Sequence, residues 1–367
     1  MACINERMHK YLPTATTIFA AVEHTPVETQ DFNFDDNKRR SFKVLDILGK
    51  GAYGFVFKAE YTSCQIGSKK TSVRQLVAMK IQQDSRMSQR EYIVHEKLSK
   101  DRQSCQYIPD FVDFWVTDSL AVSVTEFCRG GTLHDYLLQS NSKPQWIIRK
   151  KLADDILQAT EYLHSRGVFH NDLKPDNILL QFDSTRNQYR AVLTDFGMAS
   201  ASFFPENNHA KSYHGASLFK SPELFTKTDN ELESITWQPD VWALGIILSI
   251  MVNVKYEGPW YSAHKNDDNY QFFLRRALAG DFRSRLHAMQ ILLGPLHNSP
   301  KIAGLIVLAL NPDYKTRSTA STLAVTAAEM HSVEWLQLPT QPLPRVDIRA
   351  ILSEYMIYSL NVHQLKM

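Results

Sequence analysis

The feature of this sequence that most restricts its fold is the stretch 168–180. Five of its residues have the spacing H-x-D-x-K-P-x-N: His170, Asp172, Lys174, Pro175 and Asn177. If each type occurs at about one residue in 20, chance produces this set roughly once in ten thousand chains of this length. The plain alternative is a surface turn, because Asp, Lys, Pro and Asn are common in turns. The spacing nevertheless brings a carboxylate, a cation and an amide close together along the chain.

This stretch resembles the catalytic loop of eukaryotic-type protein kinases. Phosphoryl transfer from ATP requires a hydroxyl group held in line and neutralisation of the phosphate charge. The resemblance implies that Asp172 accepts the hydroxyl proton, that Lys174 faces the γ-phosphate and that Asn177 binds a metal ion. It also implies that His170 is a packing and hydrogen-bonding residue, so that Asp172 is the better candidate for the base.

Composition is that of a globular protein, with 44% hydrophobic and 22% charged residues. A length of 367 residues predicts two domains or lobes. The formal charge of +2 gives no indication of a nucleic-acid or membrane partner, and no apolar run reaches the roughly 20 residues of a membrane span. The sequence starts without a signal-peptide pattern. Four scattered cysteines predict neither a disulfide framework nor a zinc site, so we expect an intracellular protein of the cytoplasm, the nucleus or both.

A glycine-rich segment lies near the start of the resemblance, where Gly49, Gly51 and Gly54 form G-x-G-x-x-G. Alone this spacing is weak, since a chain of this length shows it by chance roughly one time in eight. Strand-like alternation on both sides suits a hairpin whose glycines let backbone N–H groups approach phosphates. The dinucleotide-binding fold would instead need a helix directly after the last glycine. A glycine-rich hairpin without function is the alternative.

A second part of the resemblance lies in a predicted strand at 76–81, where Val77-Ala78-Met79-Lys80 matches the kinase strand whose lysine holds the α- and β-phosphates. The polar residues 61–75 before it are interpreted as a surface insertion. The resemblance implies an ion pair between Lys80 and Glu91, which we prefer to Glu96 as the partner.

Glu91 belongs to a helix predicted at 89–98. Its apolar side is predicted to consist of Ile93, Val94 and Leu98.

Strands are predicted at 111–116 and 121–127, followed by a helix that begins near Thr132. The resemblance makes this region a hinge in which main-chain groups of Glu126 and Cys128 bind adenine and Thr125 guards the deep pocket. The complete ATP site implied by the resemblance consists of Leu48, Gly49, Lys50, Gly51, Ala52, Tyr53, Gly54, Phe55, Val56, Ala78, Lys80, Thr125, Glu126, Cys128 and Leu179.

The second metal ligand implied by the resemblance is Asp195 of Asp195-Phe196-Gly197, which follows a strand predicted at 191–194. Asp195 and Asn177 offer the hard oxygen donors that suit Mg²⁺ bridging triphosphate oxygens. The segment between them is some five residues longer than the family usually shows, with the excess at 181–190. A helix before the catalytic loop is predicted from the apolar stripe Ile148, Leu152, Ile156, Ala159 and Leu163.

Further resemblance lies in Ser221-Pro222-Glu223 and in Arg317, which implies an ion pair between Glu223 and Arg317 that holds a substrate platform. The apolar helix opened by Asp240 is predicted to be buried. Some of its residues, with Gly258-Pro259-Trp260 and 270–274, resemble fungal kinases that restrain meiosis or respond to nutrients.

The expected fold is the α+β bilobal kinase fold, with an extension at 1–40, a small mostly antiparallel lobe at 41–127, a helical lobe at 128–331 and a tail at 332–367 with a short helix.

Two positions depart from the family pattern. Asn171 replaces the arginine that often grips an activation-loop phosphate, which predicts that activity does not require phosphorylation of Ser212. Ala216 replaces a threonine whose hydroxyl supports the catalytic residues, so that either Ser217 substitutes for it or turnover is modest. A pseudokinase scaffold without turnover is therefore the alternative to a serine/threonine kinase that uses ATP and Mg²⁺ and acts on a protein substrate.

Overall fold

The computed structural model describes residues 31–34, 40–50, 54–64, 72–83, 86–101, 106–116, 120–140, 145–204, 219–225, 235–252 and 300–330. Several predictions fall outside these residues: most of the extension, Gly51 to Tyr53, Ser212, residues 215–217 and 258–274, and the tail at 332–367. The strands are β1 Asp31–Phe34, β2 Arg40–Lys50, β3 Gly54–Cys64, β4 Ser72–Gln83, β5 Phe111–Val116, β6 Leu120–Glu126, β7 Val168–Phe169, β8 Ile178–Asp183, β9 Gln188–Leu193 and β10 Ser200–Ala201. The helices are α1 Arg86–Ser99, α2 Leu133–Gln139, α3 Trp146–Ser165, α4 Gln238–Met251, α5 Pro300–Ala309 and α6 Ala320–Ala328.

The described chain forms two compact units with different architectures. The first contains the residues up to Cys128 except 106–108, and the second contains 106–108 and the residues from Arg129 onward. In the first unit an antiparallel six-stranded sheet has the order β1-β2-β3-β4-β6-β5. Alternate residues of its strands form one apolar cluster, as expected for a sheet with one buried face. The cluster consists of Phe42, Val44, Phe55, Phe57, Ala59, Tyr61, Val77, Met79, Ile81, Leu120, Val122 and Val124.

The hairpin of β3 and β4 is longer than predicted. Of the surface insertion predicted over 61–75, residues 61–64 and 72–75 belong to strands, which pair from Gly54 opposite Gln82 to Cys64 opposite Ser72, whereas 65–71 lie outside the described residues. The prediction was wrong for these strand residues because it relied on their polar character, whereas a two-stranded ladder is held by backbone hydrogen bonds. The strand end that carries Lys80 is therefore braced by a long ladder.

Helix α1 packs on the first unit through a face that differs from the predicted one. Val94 and Leu98 are buried, but Ile93 is 41% exposed, so the prediction for Ile93 was wrong. Glu91 and His95 are buried beside Val94. His95 Nε2 lies 2.8 Å from the Pro109 carbonyl oxygen, and burial lowers the His95 pKa to about 4, so the ring is neutral at pH 7 and donates this bond. The helix is thus rotated to bring polar groups inward.

The second unit is mainly helical. Of the predicted α3 stripe, Leu152, Ile156, Ala159 and Leu163 are buried, whereas Ile148 is 39% exposed and that prediction was wrong. Ile148 lies in the first turn of α3, where Trp146 and Arg149 are buried and Ile148 points away from them. Every residue of α4 is buried, as its apolar sequence predicted. No described helix combines the length and apolar character needed to cross a membrane.

Candidate active site

The loop after β7 gathers the three polar groups that its spacing predicts. Lys174 Nζ lies 2.6 Å from Asp172 Oδ2, and Asn177 Nδ2 donates to the same oxygen at 3.0 Å and to the Asp172 carbonyl at 2.9 Å. The Asp172 side chain is 12% exposed and the Lys174 side chain is 24% exposed. The loop therefore presents a carboxylate that two donors hold in place and that remains partly accessible from outside.

His170 is fully buried and supports the loop through both ring nitrogens. Its Nε2 lies 2.9 Å from the Thr194 carbonyl oxygen, which can only accept, so Nε2 carries the proton. Nδ1 then accepts the Asp172 N–H at 3.3 Å. A ring that is engaged on both sides cannot take a substrate proton without losing a bond, which favours Asp172 as the proton acceptor.

Asp240 at the start of α4 anchors the backbone of the loop. This carboxylate is 1% exposed, accepts the His170 N–H through Oδ2 and the Asn171 N–H through Oδ1, both at 2.7 Å, and lies 2.9 Å from His164 Nε2. Because three donors surround it, the buried charge is compensated. Helix α4, every residue of which is buried, thus positions the residues directly before Asp172.

The β8–β9 hairpin brings the backbone of Asn177 next to Thr194, the residue directly before Asp195. Asn177 directly precedes β8, in which Ile178 pairs with Leu193 of β9, and Thr194 N–H donates to the Asn177 carbonyl at 3.0 Å. Asp195 follows with the left-handed backbone φ of +66°, a conformation that Asp tolerates better than most residues. The additional residues predicted at 181–190 form the far end of this hairpin, so they lengthen its two strands without separating Asn177 from Asp195 along the sheet.

The donor chemistry of these two residues fits a magnesium ion that also binds a triphosphate. Asn177 uses Nδ2 on Asp172, which leaves its amide oxygen as the atom for coordination. Within the described residues no three His, Cys, Asp or Glu side chains cluster so that they could hold a metal by themselves. Mg²⁺ commonly binds through one or two protein oxygens and completes its octahedron with phosphate oxygens and water.

In the first unit, Lys80 and Glu91 form the predicted ion pair. Lys80 Nζ donates to both carboxylate oxygens of Glu91 at 2.9 Å. Glu96 instead lies 3.3 Å from Lys100 on the helix surface, so the preference for Glu91 was correct. Gln82, two residues beyond Lys80 on the same face of β4, also donates to Glu91 at 2.9 Å.

The Lys80 face of the sheet contains several residues of the implied ATP site. Val56 pairs with Lys80, and Ala78 lies two residues away on β4, so all three share the face opposite the apolar cluster. Phe55 lies on the other face, where it is 4% exposed within that cluster. Leu48 occupies an irregularity between the pairs made by Ile47 and Gly49 and is 44% exposed, which is how a bulge redirects a side chain.

Gly54, the last glycine of the motif, lies against β4. A Cβ atom there would approach the Ile81 carbonyl oxygen to 2.1 Å, so only glycine fits. The ladder of β3 with β4 begins at this residue.

The segment at the end of β6 has the predicted order of strand, turn and helix. Thr125 pairs with Ala78, Glu126 ends β6, and Cys128 is buried. In the second unit, Thr132 caps α2 through a reciprocal bond with Asp135. Leu179 pairs with Thr132 across an isolated bridge.

The predicted pair of Glu223 and Arg317 is present and almost completely buried. The guanidinium donates through Nη1 and Nη2 to the two carboxylate oxygens at 2.6 and 2.8 Å. It also donates to the carbonyls of Asn311 and Gln238 at 2.8 Å each. The pair joins the Pro222–Phe225 turn to α4 and to the segment before α6.

Sequence reasoning missed three contributors to these sites. Gln82 was detectable, because alternation along β4 places it on the Lys80 face. Asp240 carried a weaker signal, an acidic residue opening an apolar helix. The contacts of the Asn171 side chain had no sequence signal, because its partners lie 27 and 29 residues further along the chain.

Comparison with known proteins finds similarity to protein kinases. The family described as protein kinase domain matches residues 42–331. The serine/threonine-protein kinase SBK1 of Danio rerio is 29% identical over 235 residues, which are 64% of this chain and 56% of that protein. The serine/threonine-protein kinase pak-1 of Caenorhabditis elegans is 32% identical over 217 residues, 59% of this chain and 34% of that protein. CDPK-related kinase 7 of Arabidopsis thaliana is 26% identical over 296 residues, 72% and 47% respectively, so the chain spans about half or less of most such relatives.

Proposed function

Because the chain belongs to the protein kinase family, we propose that it is a serine/threonine kinase that transfers the γ-phosphoryl group of ATP to hydroxyl groups of protein substrates. The observation that carries this proposal is the contact of Asp172 with both Lys174 and Asn177. It unites an accessible carboxylate, a cation and a metal-binding amide within hydrogen-bonding distance. A loop kept only as scaffold has no need of that arrangement.

The residues of the second unit act on the hydroxyl side of the reaction. Asp172 orients the substrate hydroxyl and accepts its proton as the oxygen attacks the γ-phosphorus. Lys174, 2.6 Å from Asp172, contributes positive charge where charge develops on the transferring group. Asn177 and Asp195 would hold Mg²⁺ through their side-chain oxygens, and the bound ion would supply positive charge that neutralises the phosphates.

The residues of the first unit act on the nucleotide side. Lys80 binds the α- and β-phosphates while Glu91 and Gln82 hold its position. Val56 and Ala78 share the Lys80 face and offer an apolar surface to the adenine ring. Main-chain groups of Glu126 and Cys128 hydrogen-bond the base, and Thr125 guards the pocket behind it. Gly49 and Gly54 belong to the lid over the phosphates.

Two features favour Ser and Thr hydroxyls of proteins as acceptors. Lys174 stands where tyrosine kinases carry other residues, and the buried pair of Glu223 and Arg317 is the platform that small-molecule kinases lack. Both points rest on the family pattern. The fungal subfamily and a cytoplasmic or nuclear location also remain predictions.

Transfer of radiolabelled phosphate from Mg·ATP to a peptide library tests this function. We expect the wild-type chain to label a subset of Ser- and Thr-containing peptides. Asp172→Asn should reduce the rate about a thousandfold, because the amide cannot accept the proton. Omitting Mg²⁺ should abolish labelling. The library also reports which residues around the hydroxyl are preferred.

The same assay separates an enzyme from a scaffold. Lys80→Met serves as a second inactivated protein, because methionine keeps the length of the side chain without its charge. Equal background labelling by the wild type, Asp172→Asn and Lys80→Met would identify a pseudokinase. Labelling of tyrosine peptides alone would contradict the proposed acceptor class.

A further inference from the structure

The side chain of Asn171 joins the catalytic loop to the segment after Asp195. Its Nδ2 donates to the Met198 carbonyl oxygen at 3.1 Å and to Ser200 Oγ at 3.0 Å. The orientation of the amide is fixed, because a carbonyl oxygen can only accept and must therefore face the NH₂ group. One neutral side chain thus holds both the backbone and a side chain of the neighbouring segment.

The Asn171 end of this contact is firmly held. The Asn171 N–H donates to Asp240 Oδ1 at 2.7 Å, and the residue has the left-handed φ of +62°. Asn adopts this conformation more readily than most residues other than glycine. The backbone geometry therefore aims the amide at its two acceptors at little cost.

The Ser200 end is held by the sheet. Ser200 lies in β10, pairs with Phe169 of β7 and is only 8% exposed. Ser202 N–H donates to the Gly167 carbonyl at 2.8 Å, which closes the ladder on its other side. The hydroxyl consequently has one well-defined position from which to accept the Asn171 proton.

We propose that Asn171 and Ser200 form a clip that positions Asp195 relative to Asp172. The clip fixes Met198 and Ser200, three and five residues after Asp195, against the residue that precedes Asp172. It uses only neutral groups that the chain itself provides. The proposal rests on the proposed function, because the geometry that it maintains is that of the transfer reaction. Both residues act through others and are positioning residues.

Steady-state kinetics on the full chain tests the clip with Asn171→Gly, Ser200→Ala and the double variant. Glycine tolerates the positive φ, so Asn171→Gly removes the amide without straining the backbone. We expect Asn171→Gly to lower kcat about tenfold, as for one lost buried hydrogen bond, with the peptide KM little changed. Ser200→Ala should lower kcat by the same factor or less, and should have no further effect once Asn171 is glycine. Ser200→Thr keeps the hydroxyl and should restore kcat.

Two matched controls remove the same groups elsewhere. Asn187 also has a positive φ, of +52°, in the exposed β8–β9 turn, and Ser165 donates only to its own helix. Asn187→Gly and Ser165→Ala should leave kcat within about twofold, as surface changes usually do. Independent, multiplying effects of Asn171→Gly and Ser200→Ala would overturn the clip, as would single variants with unchanged kcat.

A second readout keeps the clip testable if the wild type transfers no phosphate. Hydrogen exchange of the backbone amides at 199–202 should accelerate in Asn171→Gly and Ser200→Ala, and no further in the double variant. Exchange that is unchanged in the single variants would refute the clip. An inactive wild type with accelerated exchange in both would refute the proposed function and support the clip.

Discussion

Two ion pairs among the described residues, Lys80 with Glu91 and Arg317 with Glu223, differ in their access to solvent. In the first unit, the Lys80 and Glu91 side chains are 22% and 10% exposed. In the second unit, the Arg317 and Glu223 side chains are 0% and 2% exposed, and the guanidinium also serves two carbonyls. Both pairs join a basic side chain to a carboxylate, but only the pair in the second unit is almost completely buried.

This difference indicates different tasks. Removing one partner of a fully buried ion pair is costly, because the remaining charge is left without water or a counter-charge. The pair of Arg317 and Glu223 therefore suits a permanent structural connection. A pair that still meets water costs little to open, so the Lys80 pair suits a site that must bind and release a charged ligand. Removing one partner should therefore damage stability in one unit and chemistry in the other.

The largest effect is expected for Arg317→Met. The substitution leaves the Glu223 carboxylate buried without its two N–H donors, and we expect a loss of about 3–5 kcal/mol in the free energy of unfolding. For a domain of this size that corresponds to a fall in Tm of roughly 10 °C. Urea and thermal unfolding measure both quantities.

Two further proteins sharpen this measurement. Lys315→Met removes an exposed cation two residues away and should change the free energy of unfolding by less than about 0.5 kcal/mol. Combining Arg317→Met with Glu223→Leu removes both charges and should recover part of the lost stability. Equal stability of Arg317→Met and the wild type would remove the distinction between the two pairs.

Lys80→Met should give the opposite pattern. We expect the phosphate-transfer rate to fall about a hundredfold, which is the typical loss when one preorganised donor to a reacting charge is removed. The free energy of unfolding should change by only about 1 kcal/mol, because Glu91 keeps its bond from Gln82 and partial access to water. Kinetics and unfolding on the same preparation check both halves of this prediction. A stability loss as large as that of Arg317→Met would show that the pair in the first unit is structural too.

Both ion pairs were predictable from sequence because each is set by a family pattern with defined spacing. Burial of polar groups was not predictable in the same way. Ile93 was placed inside as an apolar residue, yet α1 turns Glu91 and His95 inward to meet β4 and the Pro109 carbonyl. The helix orientation depends on the partners it meets, and these are fixed only in the folded chain.

The support of the catalytic loop was even less accessible to sequence reasoning. Asp240 lies 70 residues from His170, so no local period connects them. The Asn171 substitution was visible as a departure from the family pattern. Its bonds to Met198 and Ser200 became apparent only from the fold.

The pH dependence of stability at His95 tests whether the buried face of α1 holds the helix in place in addition to the ion pair of Glu91 with Lys80. Because burial lowers its pKa to about 4, the unfolded chain binds a proton here at pH 5 and the folded chain does not. The stability that this residue contributes is complete above about pH 6.5 and falls as the pH is lowered, by about 2 kcal/mol at pH 5. His95→Gln keeps an N–H donor for Pro109 but does not titrate. The wild type should therefore lose more stability than His95→Gln between pH 7 and pH 5, and equal losses would show that His95 titrates normally.

The smallest effect is expected for Ser212→Ala, whose position lies outside the described residues. Asn171 carries no positive charge with which to pair a phosphate, and its amide already binds Met198 and Ser200. We therefore expect phosphatase-treated wild type and Ser212→Ala to keep their transfer rate within about twofold of the untreated protein. Mass spectrometry must confirm that the treated protein carries no phosphate at this residue. Loss of nearly all activity in both proteins would mean that a phosphate on Ser212 supplies order that the Lys80 pair and the Asn171 contacts do not.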